Sequence, residues 1–437
     1  MVSAQSREAP ALRKVWKSLL GQRAATVSDD LLRRALQLIP NGVQTFSKSR
    51  AVWPDNAPSH IKSGMGSHVW GSDGREFIDM TMALGPIVLG YGDPDVDAAV
   101  REAIISGPIF TFPSSLEVAL ADKITRIVPC AETVKFELSG SDAASAAIRC
   151  ARAFTGKWYV VSQGYHGWHD WCCPNRTGLP HTTEDYADCE DPSVFREDDW
   201  RDAFGSGSVE DDTAAIIVEP EYTQDLPGLR RFCSDNGIVL IFDEVLTGFR
   251  VALGGFQEYS GVIPDLATFS KAMGNGYPIS CVTGKREVMK AFERIGVSST
   301  FFGSTPGLAA SLAVIDKMQT EPVIDHLWSV GKRLRVVFEA EAKAAGISVE
   351  LRGLAPRMTY HFKGDGATVP WRTLFAQSMI AAGVLSNFGL TACWAHDAVD
   401  IEKVSVAIRS AFRVLASVDD PRERLHGEAR LAGVRPG

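Results

Sequence analysis

The chain has 437 residues, 45% of them apolar and 22% charged; at roughly 100–200 residues per domain it holds either several domains or one large fold with a smaller companion. That balance excludes disordered, collagen-like and disulfide-miniprotein classes. With 45 Lys plus Arg against 53 Asp plus Glu, the net charge of −8 argues against a nucleic-acid partner.

The longest apolar runs, such as 237–242, fall far short of the roughly 18–20 residues of a membrane helix, so no membrane partner is expected. The eight cysteines (130, 150, 172, 173, 189, 233, 281 and 393) form no C-x-x-C pair and no Cys/His cluster with zinc spacing. No metal is expected, and a reducing cytoplasm is the expected compartment. Residues 1–28 are an N-terminal extension, read as a helix over 11–20 in preference to an acid-poor transit peptide.

In chain order, a helix is expected over Asp29–Leu38, stopped by Pro40, then a hairpin of His68–Trp70 and Glu76–Asp79 around Asp73-Gly74. From about residue 90, short apolar runs alternate with helical segments. Expected strands are Thr133–Leu138, Trp158–Ser162, Ala214–Val218, Gly237–Phe242, Leu266–Phe269 and Ile279–Thr283. Expected helices include Ser115–Ile127, Asp142–Phe154 and Leu226–Asp235. Near-continuous apolar strands alternating with helices point to an α/β fold with a mostly parallel sheet covered on both faces. The last third reads as an α+β lobe. It has helices over Val323–Ala345, Trp371–Ala382 and Ile401–Ala416, and strands over Ser348–Leu351 and Met358–Phe362. A large domain at 85–319 and a small one assembled from 29–84 and 320–437 are expected.

In open α/β sheets, ligands bind beyond the carboxyl ends of strands. The residues just after these strands form a chemically coherent set: Ser139-Gly140-Ser141-Asp142, Gly164-Tyr165-His166-Gly167, Glu219-Pro220, Asp243-Glu244-Val245 and Ser270-Lys271. Ser139-Gly140-Ser141 opens an alanine-rich helix, whose free N–H groups and dipole suit a phosphate; a plain helix cap by Ser141 or Asp142 is the alternative. Asp243 comes directly after a buried-type strand, so its carboxylate needs a partner, either a ligand or a neighbour such as Arg250. Lys271 is either a solvated lysine or, in an apolar pocket, a group able to form a Schiff base with a carbonyl. Taken together, a phosphate nest, an aromatic residue, a buried carboxylate and a strand-end lysine fit pyridoxal 5′-phosphate.

The segment 241–250 (Ile-Phe-Asp-Glu-Val-Leu-Thr-Gly-Phe-Arg) resembles the aspartate motif of class III (subgroup II) aminotransferases, most of all the glutamate-1-semialdehyde aminomutases. Segments 265–271, 139–143 and 164–167 resemble their lysine, phosphate-loop and Tyr-His-Gly segments. The resemblance runs from about residue 30 to 415. It implies fold type I of the pyridoxal-phosphate enzymes, with a mixed, mostly parallel seven-stranded sheet, and a homodimer with active sites at its interface. It assigns Lys271 to the cofactor aldehyde and to proton transfer between substrate and cofactor, and Asp243 to the pyridine nitrogen. It places Tyr165 and Val245 on the two ring faces, with His166 beside Tyr165. Ser139, Gly140 and Ser141 would bind the phosphate, joined by Thr300 of the partner subunit.

Departures from the family pattern touch the substrate. Where the family carries an arginine after Gly-Gly-Val, this chain has Asn41-Gly42-Val43 and then Lys48 and Arg50. Lysine lacks the bidentate fork of arginine. The family's Trp-Gly-Pro is Leu84-Gly85-Pro86, and the stretch 276–300 is shorter than the aminomutase gate. The leading expectation is an aminotransferase moving an amino group from an amino-acid donor to a specialised carbonyl substrate of secondary-metabolite, cyclic or sugar-like type. The alternatives are an aminomutase and a non-catalytic protein of this fold.

Overall fold

The computed structural model describes residues 24–172, 194–196, 199–204, 211–363 and 368–430. The helix expected at 11–20, most of the N-terminal extension, Cys173 and Cys189 lie outside the described residues.

Helix α1 (Ala24–Leu38) ends just before Pro40, where the missing N–H stops helical bonding. Next in the chain is an antiparallel meander of β1 (Ile61–Met65), β2 (His68–Gly71) and β3 (Glu76–Asp79). Helix α2 (Pro94–Ser106) is capped by Asp93, and α3 (Ser115–Ile127) opens on a capping box between Ser114 and Glu117. The central region runs β4 (Thr133–Glu137), α4 (Gly140–Thr155), β5 (Tyr159–Gln163), β6 (Val194–Arg196), β7 (Thr213–Val218), α5 (Leu226–Asp235), β8 (Val239–Asp243), β9 (Leu266–Phe269) and β10 (Ser280–Gly284). The remaining elements are α6 (Thr305–Thr320), α7 (Val323–Ala345), β11 (Val349–Arg352), β12 (Arg357–Phe362), α8 (Thr368–Ala381), β13 (Val384–Leu385), β14 (Gly389–Thr391) and α9 (Ala398–Leu415). No helix among the described residues is long and apolar enough to cross a membrane.

The seven central strands lie in the order β4-β10-β9-β8-β7-β5-β6. The pairs among β9, β8, β7, β5 and β6 are parallel, and β10 runs antiparallel to both of its neighbours, β4 and β9. Two reversals restore direction, so β4 points the same way as β9. The sheet is therefore mixed and mostly parallel, as expected. Alternate side chains bury on opposite faces. Ile216, Val218, Leu240 and Phe242 join one apolar cluster. Ala215, Ile217, Val239 and Ile241 join another with Ala143, Ala144, Ala147 and Ala151 of α4. Alanines on that helix leave little side chain between it and the sheet.

Strand β13 pairs in parallel with β3, Val384 opposite Ile78, and so ties late residues to the early meander. Strands β11, β12 and β14 form a third, antiparallel sheet. Its Tyr360 and Phe362 pack with Phe338, Phe375 and Phe412 of α7, α8 and α9 at centroid distances of 5.0–6.0 Å. The sequence reading omits β1, α2, β6, α6, β13 and β14. Strand β1 is mostly exposed and carries no apolar alternation. Helix α6 is buried on most sides, so it lacks a polar stripe.

Candidate active site

The strands β4, β5, β7, β8 and β9 share one direction, so their carboxyl ends meet along one edge of the sheet. Ser139 caps α4 there: its Oγ accepts from Asp142 N at 3.2 Å and Asp142 Oδ2 accepts from Ser139 N at 3.0 Å. The cap is thus Ser139, not Ser141 or Asp142 alone. No helical carbonyl can reach the amides of Gly140 and Ser141, which leaves them for an anion at the positive end of the helix. Gly140 is required here, because a Cβ would fall 2.9 Å from Val245 Cγ1.

Gly164-Tyr165-His166-Gly167 is pinned at both ends. A Cβ on Gly164 (φ +107°) would sit 2.8 Å from Glu219 Oε2, and one on Gly167 (φ +111°) would collide with Ser141. Glu219 also accepts from Tyr165 N at 3.0 Å, which gives that carboxylate an anchoring task. Tyr165 is half-buried and His166 is buried.

Asp243 ends β8 and is 6% exposed. Its Oδ2 meets His166 Nδ1 at 2.7 Å, and its Oδ1 accepts from Val245 N at 3.0 Å and Thr268 Oγ1 at 3.2 Å. Burial alone raises a carboxyl pKa. Here the His166 contact, the Val245 N–H and the charge of Lys271 together outweigh it and hold Asp243 below its ordinary value. The other nitrogen of His166 faces Gln163 O at 3.1 Å. Arg250 plays no part in this set: it donates to Ala392 O and Gly85 O instead.

Lys271 lies just past β9 and is half-buried, with φ at +46°, a conformation that costs a non-glycine residue roughly 1 kcal/mol. It lies beside a second strained turn, where Met82, Ala83 and Leu84 all have positive φ and lead into Gly85 at +106°. Buried Asp79 holds this turn by accepting from Thr81 N and Met82 N at 2.7 and 3.0 Å, and Arg250 Nη2 donates to Gly85 O at 2.6 Å. A Cβ on Gly85 would lie 3.5 Å from Leu246 and 3.9 Å from Lys271 Cδ, so this turn, which carries Leu84, walls the lysine.

The structure therefore gathers Ser139, Gly140, Ser141, Tyr165, His166, Asp243, Val245 and Lys271 in one place, with Leu84 adjacent. Lys48 is exposed on a short 3₁₀ turn, and Arg50 Nη1 donates to its own loop at Pro54 O (3.3 Å). Neither is among the hydrogen-bond partners of Asp243. Thr300 is exposed on the chain surface. Sequence reasoning missed Thr268, Asp79 and the role of Arg250. Thr268 is the register partner of Asp243 across β8 and β9, a pairing that no local pattern reveals.

These residues fit pyridoxal 5′-phosphate. A carboxylate held ionised suits a protonated ring nitrogen, an amine suits an aldehyde, and a glycine-opened helix terminus suits a phosphate. Fold and site thus define a fold type I pyridoxal-phosphate enzyme. The aminotransferase class-III family model matches residues 49–403, and the chain belongs to that family. It is 33% identical over 410 residues to the 3-aminobutyryl-CoA aminotransferase of Cloacimonas acidaminovorans, covering 88% of this chain and 96% of that protein. It is 37% identical over 328 residues to the glutamate-1-semialdehyde 2,1-aminomutase of Methanothrix thermoacetophila, covering 70% and 75%. Among solved structures, the FumI protein of Sphingopyxis sp. MTA144, in its PLP internal aldimine form, superposes with a TM-score of 0.83 at 26% identity, covering 92% of this chain and 98% of that one. The protein is a pyridoxal-phosphate-dependent aminotransferase.

Proposed function

We propose that this aminotransferase moves an amino group between two molecules, from an amino-acid donor to the carbonyl of a specialised substrate of secondary-metabolite, cyclic or sugar-like type. The observation that carries this reading is the Met82–Gly85 turn. It lies against Lys271 and Leu246 and presents Leu84 where the aminomutases have tryptophan. A smaller wall beside the lysine suits a substrate of another shape.

When bound, pyridoxal phosphate supplies the electron sink for the carbanion formed at the substrate. In our reading Asp243 keeps the ring nitrogen protonated, and His166 and Thr268 keep Asp243 ionised. Gly140 and Ser141 hold the phosphate through backbone N–H groups, with Ser139 setting the helix start. Tyr165 and Val245 bracket the ring. Lys271 Nζ carries the proton to and from the substrate Cα.

The protein acts as a homodimer in this reading. Thr300 is exposed in one chain beside exposed Phe301, and Thr305 N bonds Pro108 O, next to exposed Phe110 and Phe112. A partner covering these segments would bring Thr300 to the other subunit's phosphate. The expected compartment is the cytoplasm.

The test is a half-reaction screen of amino acids against the purified, pyridoxal-loaded protein. Conversion to the pyridoxamine form by an external donor, reversed by a keto acid, supports the reading. A cofactor band that survives in Lys271→Ala would sink it. The aminomutase reading, favoured by the relatives of that name, predicts turnover of a single substrate with no acceptor added.

A further inference from the structure

The last residue of β4 carries a buried carboxyl group with no hydrogen-bond partner. Glu137 is 2% exposed, and neither of its carboxyl oxygens is hydrogen-bonded among the described residues. Buried carboxylates are ordinarily paired or hydrogen-bonded. This one stands two residues before Ser139, the cap of α4.

Side chains alternate along a strand, so Glu137 shares a face of β4 with Lys135. Lys135 pairs across β10 with Val282, which packs with the alanines of α4. Glu137 therefore lies on the face that α4 covers, at the end where that helix begins. Its register partner is Ser280, whose Oγ donates to Ser139 O at 2.7 Å. The carboxyl group thus shares this strand end with the Gly140 and Ser141 amides that suit a phosphate.

Few charges act on it. Lys135 favours the ionised form, but its ammonium lies over the Phe292 and Phe302 rings, 5.8 and 5.7 Å from their centroids. Asp142, in the first turn of α4, opposes ionisation. From β10 come the Val282 backbone, which favours it, and Cys281, whose thiol is kept neutral by burial. Helix α3 and the short helix Arg286–Met289 also pack on β4, and among the described residues neither adds a charge that acts on Glu137. Burial outweighs the rest and pushes the carboxyl up to about 8.

A phosphate ester is a dianion above its second pKa of about 6. On the Gly140 and Ser141 amides it would bring two negative charges to a strand end where Glu137 has no cation in contact. A like charge favours the protonated carboxyl. By linkage, the ionised carboxylate weakens the phosphate by the same factor.

We propose that Glu137 holds a proton when the cofactor phosphate is bound, so that phosphate affinity falls as this carboxyl ionises. Glu137 is then a proton-linked brake on cofactor loading. The protein loads fully at neutral pH and releases its cofactor more readily in alkaline conditions. The inference rests on the reading that Gly140 and Ser141 take the phosphate, and adds a proton to that site.

The experiment measures Kd of the full-length protein, freed of cofactor, for pyridoxal 5′-phosphate and for pyridoxal, by fluorescence titration from pH 7 to pH 9. Both aldehydes meet the same Lys271, so the pH dependence of that contact cancels in the ratio of the two Kd values. In wild-type protein the advantage of the phosphorylated ligand should shrink by about three- to tenfold over this range, the upper figure being set by a carboxyl about nine-tenths ionised at pH 9. In Glu137→Gln the advantage should stay constant. An advantage that does not change with pH in wild-type protein, or one that shrinks as much in Glu137→Gln, overturns the proposal. Where Glu137→Gln does not fold, calorimetry of the wild type at pH 8, in two buffers of different ionisation heat, decides. Pyridoxal 5′-phosphate should take up about half a proton more than pyridoxal, and equal uptake overturns the proposal. Equal affinity for the two ligands at every pH would overturn the phosphate site at Gly140 and Ser141 as well.

Discussion

Replacing His166 with phenylalanine keeps a ring beside Trp171, whose ring centroid lies 6.4 Å from that of His166, and removes the contact to Asp243 Oδ2 at 2.7 Å. Val245 N and Thr268 Oγ1 still serve Oδ1, so the carboxylate loses one of its three hydrogen-bond partners. A hydrogen bond to a charged group contributes about 1.5–3 kcal/mol. Without it the Asp243 carboxyl should rise from its depressed position toward the ordinary carboxylate range. Burial would then work against the ionised form with less opposition, and the ring nitrogen would lose its firm anionic partner. At 1.36 kcal/mol per factor of ten, the expected result is a kcat lower by roughly 10–100-fold, with the acid limb of the pH–kcat profile moved to higher pH. The sign for stability comes from the depressed carboxyl. Its contribution is present above the unfolded value of about 3.9 and is lost as pH falls through the folded value. Urea unfolding should therefore separate wild type from His166→Phe most at neutral pH and least below about pH 4. Wild-type kcat with an unmoved acid limb in His166→Phe would refute the assignment of His166 as the group that keeps Asp243 ionised.

Three further outcomes rest on particular contacts. Gly140→Ala places a methyl 2.9–3.0 Å from both Val245 methyl carbons; cofactor Kd should rise at least about tenfold, for a misfit of about 1–3 kcal/mol, and unchanged affinity in a fluorescence titration would contradict the close approach. Glu244 is fully buried, and burial pushes its carboxyl up to about 7, despite hydrogen bonds from Phe256 N, Gln257 N, Thr247 Oγ1 and Gln257 Nε2. Because this value is raised, its contribution is complete below about 4.5 and is lost as pH climbs through 7, about 3 kcal/mol in all; Glu244→Gln should flatten that slope in unfolding series from pH 5 to 8, and an identical slope would refute it. Arg250→Met removes the donors to Gly85 O and Ala392 O; it should lower thermal stability by several degrees for a loss of about 2–4 kcal/mol, which a melting curve checks.

The chemistry of the site was legible because it sits where strands end, and strand ends are local events. Apolar runs of 4–6 residues bounded by Ser-Gly, Gly-Tyr-His-Gly, Asp-Glu or Ser-Lys mark both the strand and the functional residues at its carboxyl end. Helices Ser115–Ile127, Leu226–Asp235 and Val323–Ala345 carry their start and stop residues within their own turns, and they form over the expected ranges. Register is a different kind of fact. That Thr268 faces Asp243 depends on how β8 lies against β9, and every one-residue slip would present another side chain. The same holds for β13, two residues whose pairing to β3 reaches across the chain.

The Met82–Gly85 turn shows where local reasoning stops. Nothing in Met-Ala-Leu favours positive φ, and a sequence reading gives such residues a helix or a strand. The conformation is imposed by two buried groups, the carboxylate of Asp79 just before the turn and, far away in the chain, the Arg250 guanidinium. Strain of roughly 1–3 kcal/mol per residue persists only when surroundings over-determine it. Here what surrounds it is a buried ion held by two backbone carbonyls, one from each end of the chain. The position where this chain departs from the aminomutase pattern, Leu84, is therefore carried on a turn whose shape Leu84 does not decide. Changing Leu84 alone should alter which substrate fits and leave the turn in place, whereas changing Arg250 should release the turn whatever residue 84 is.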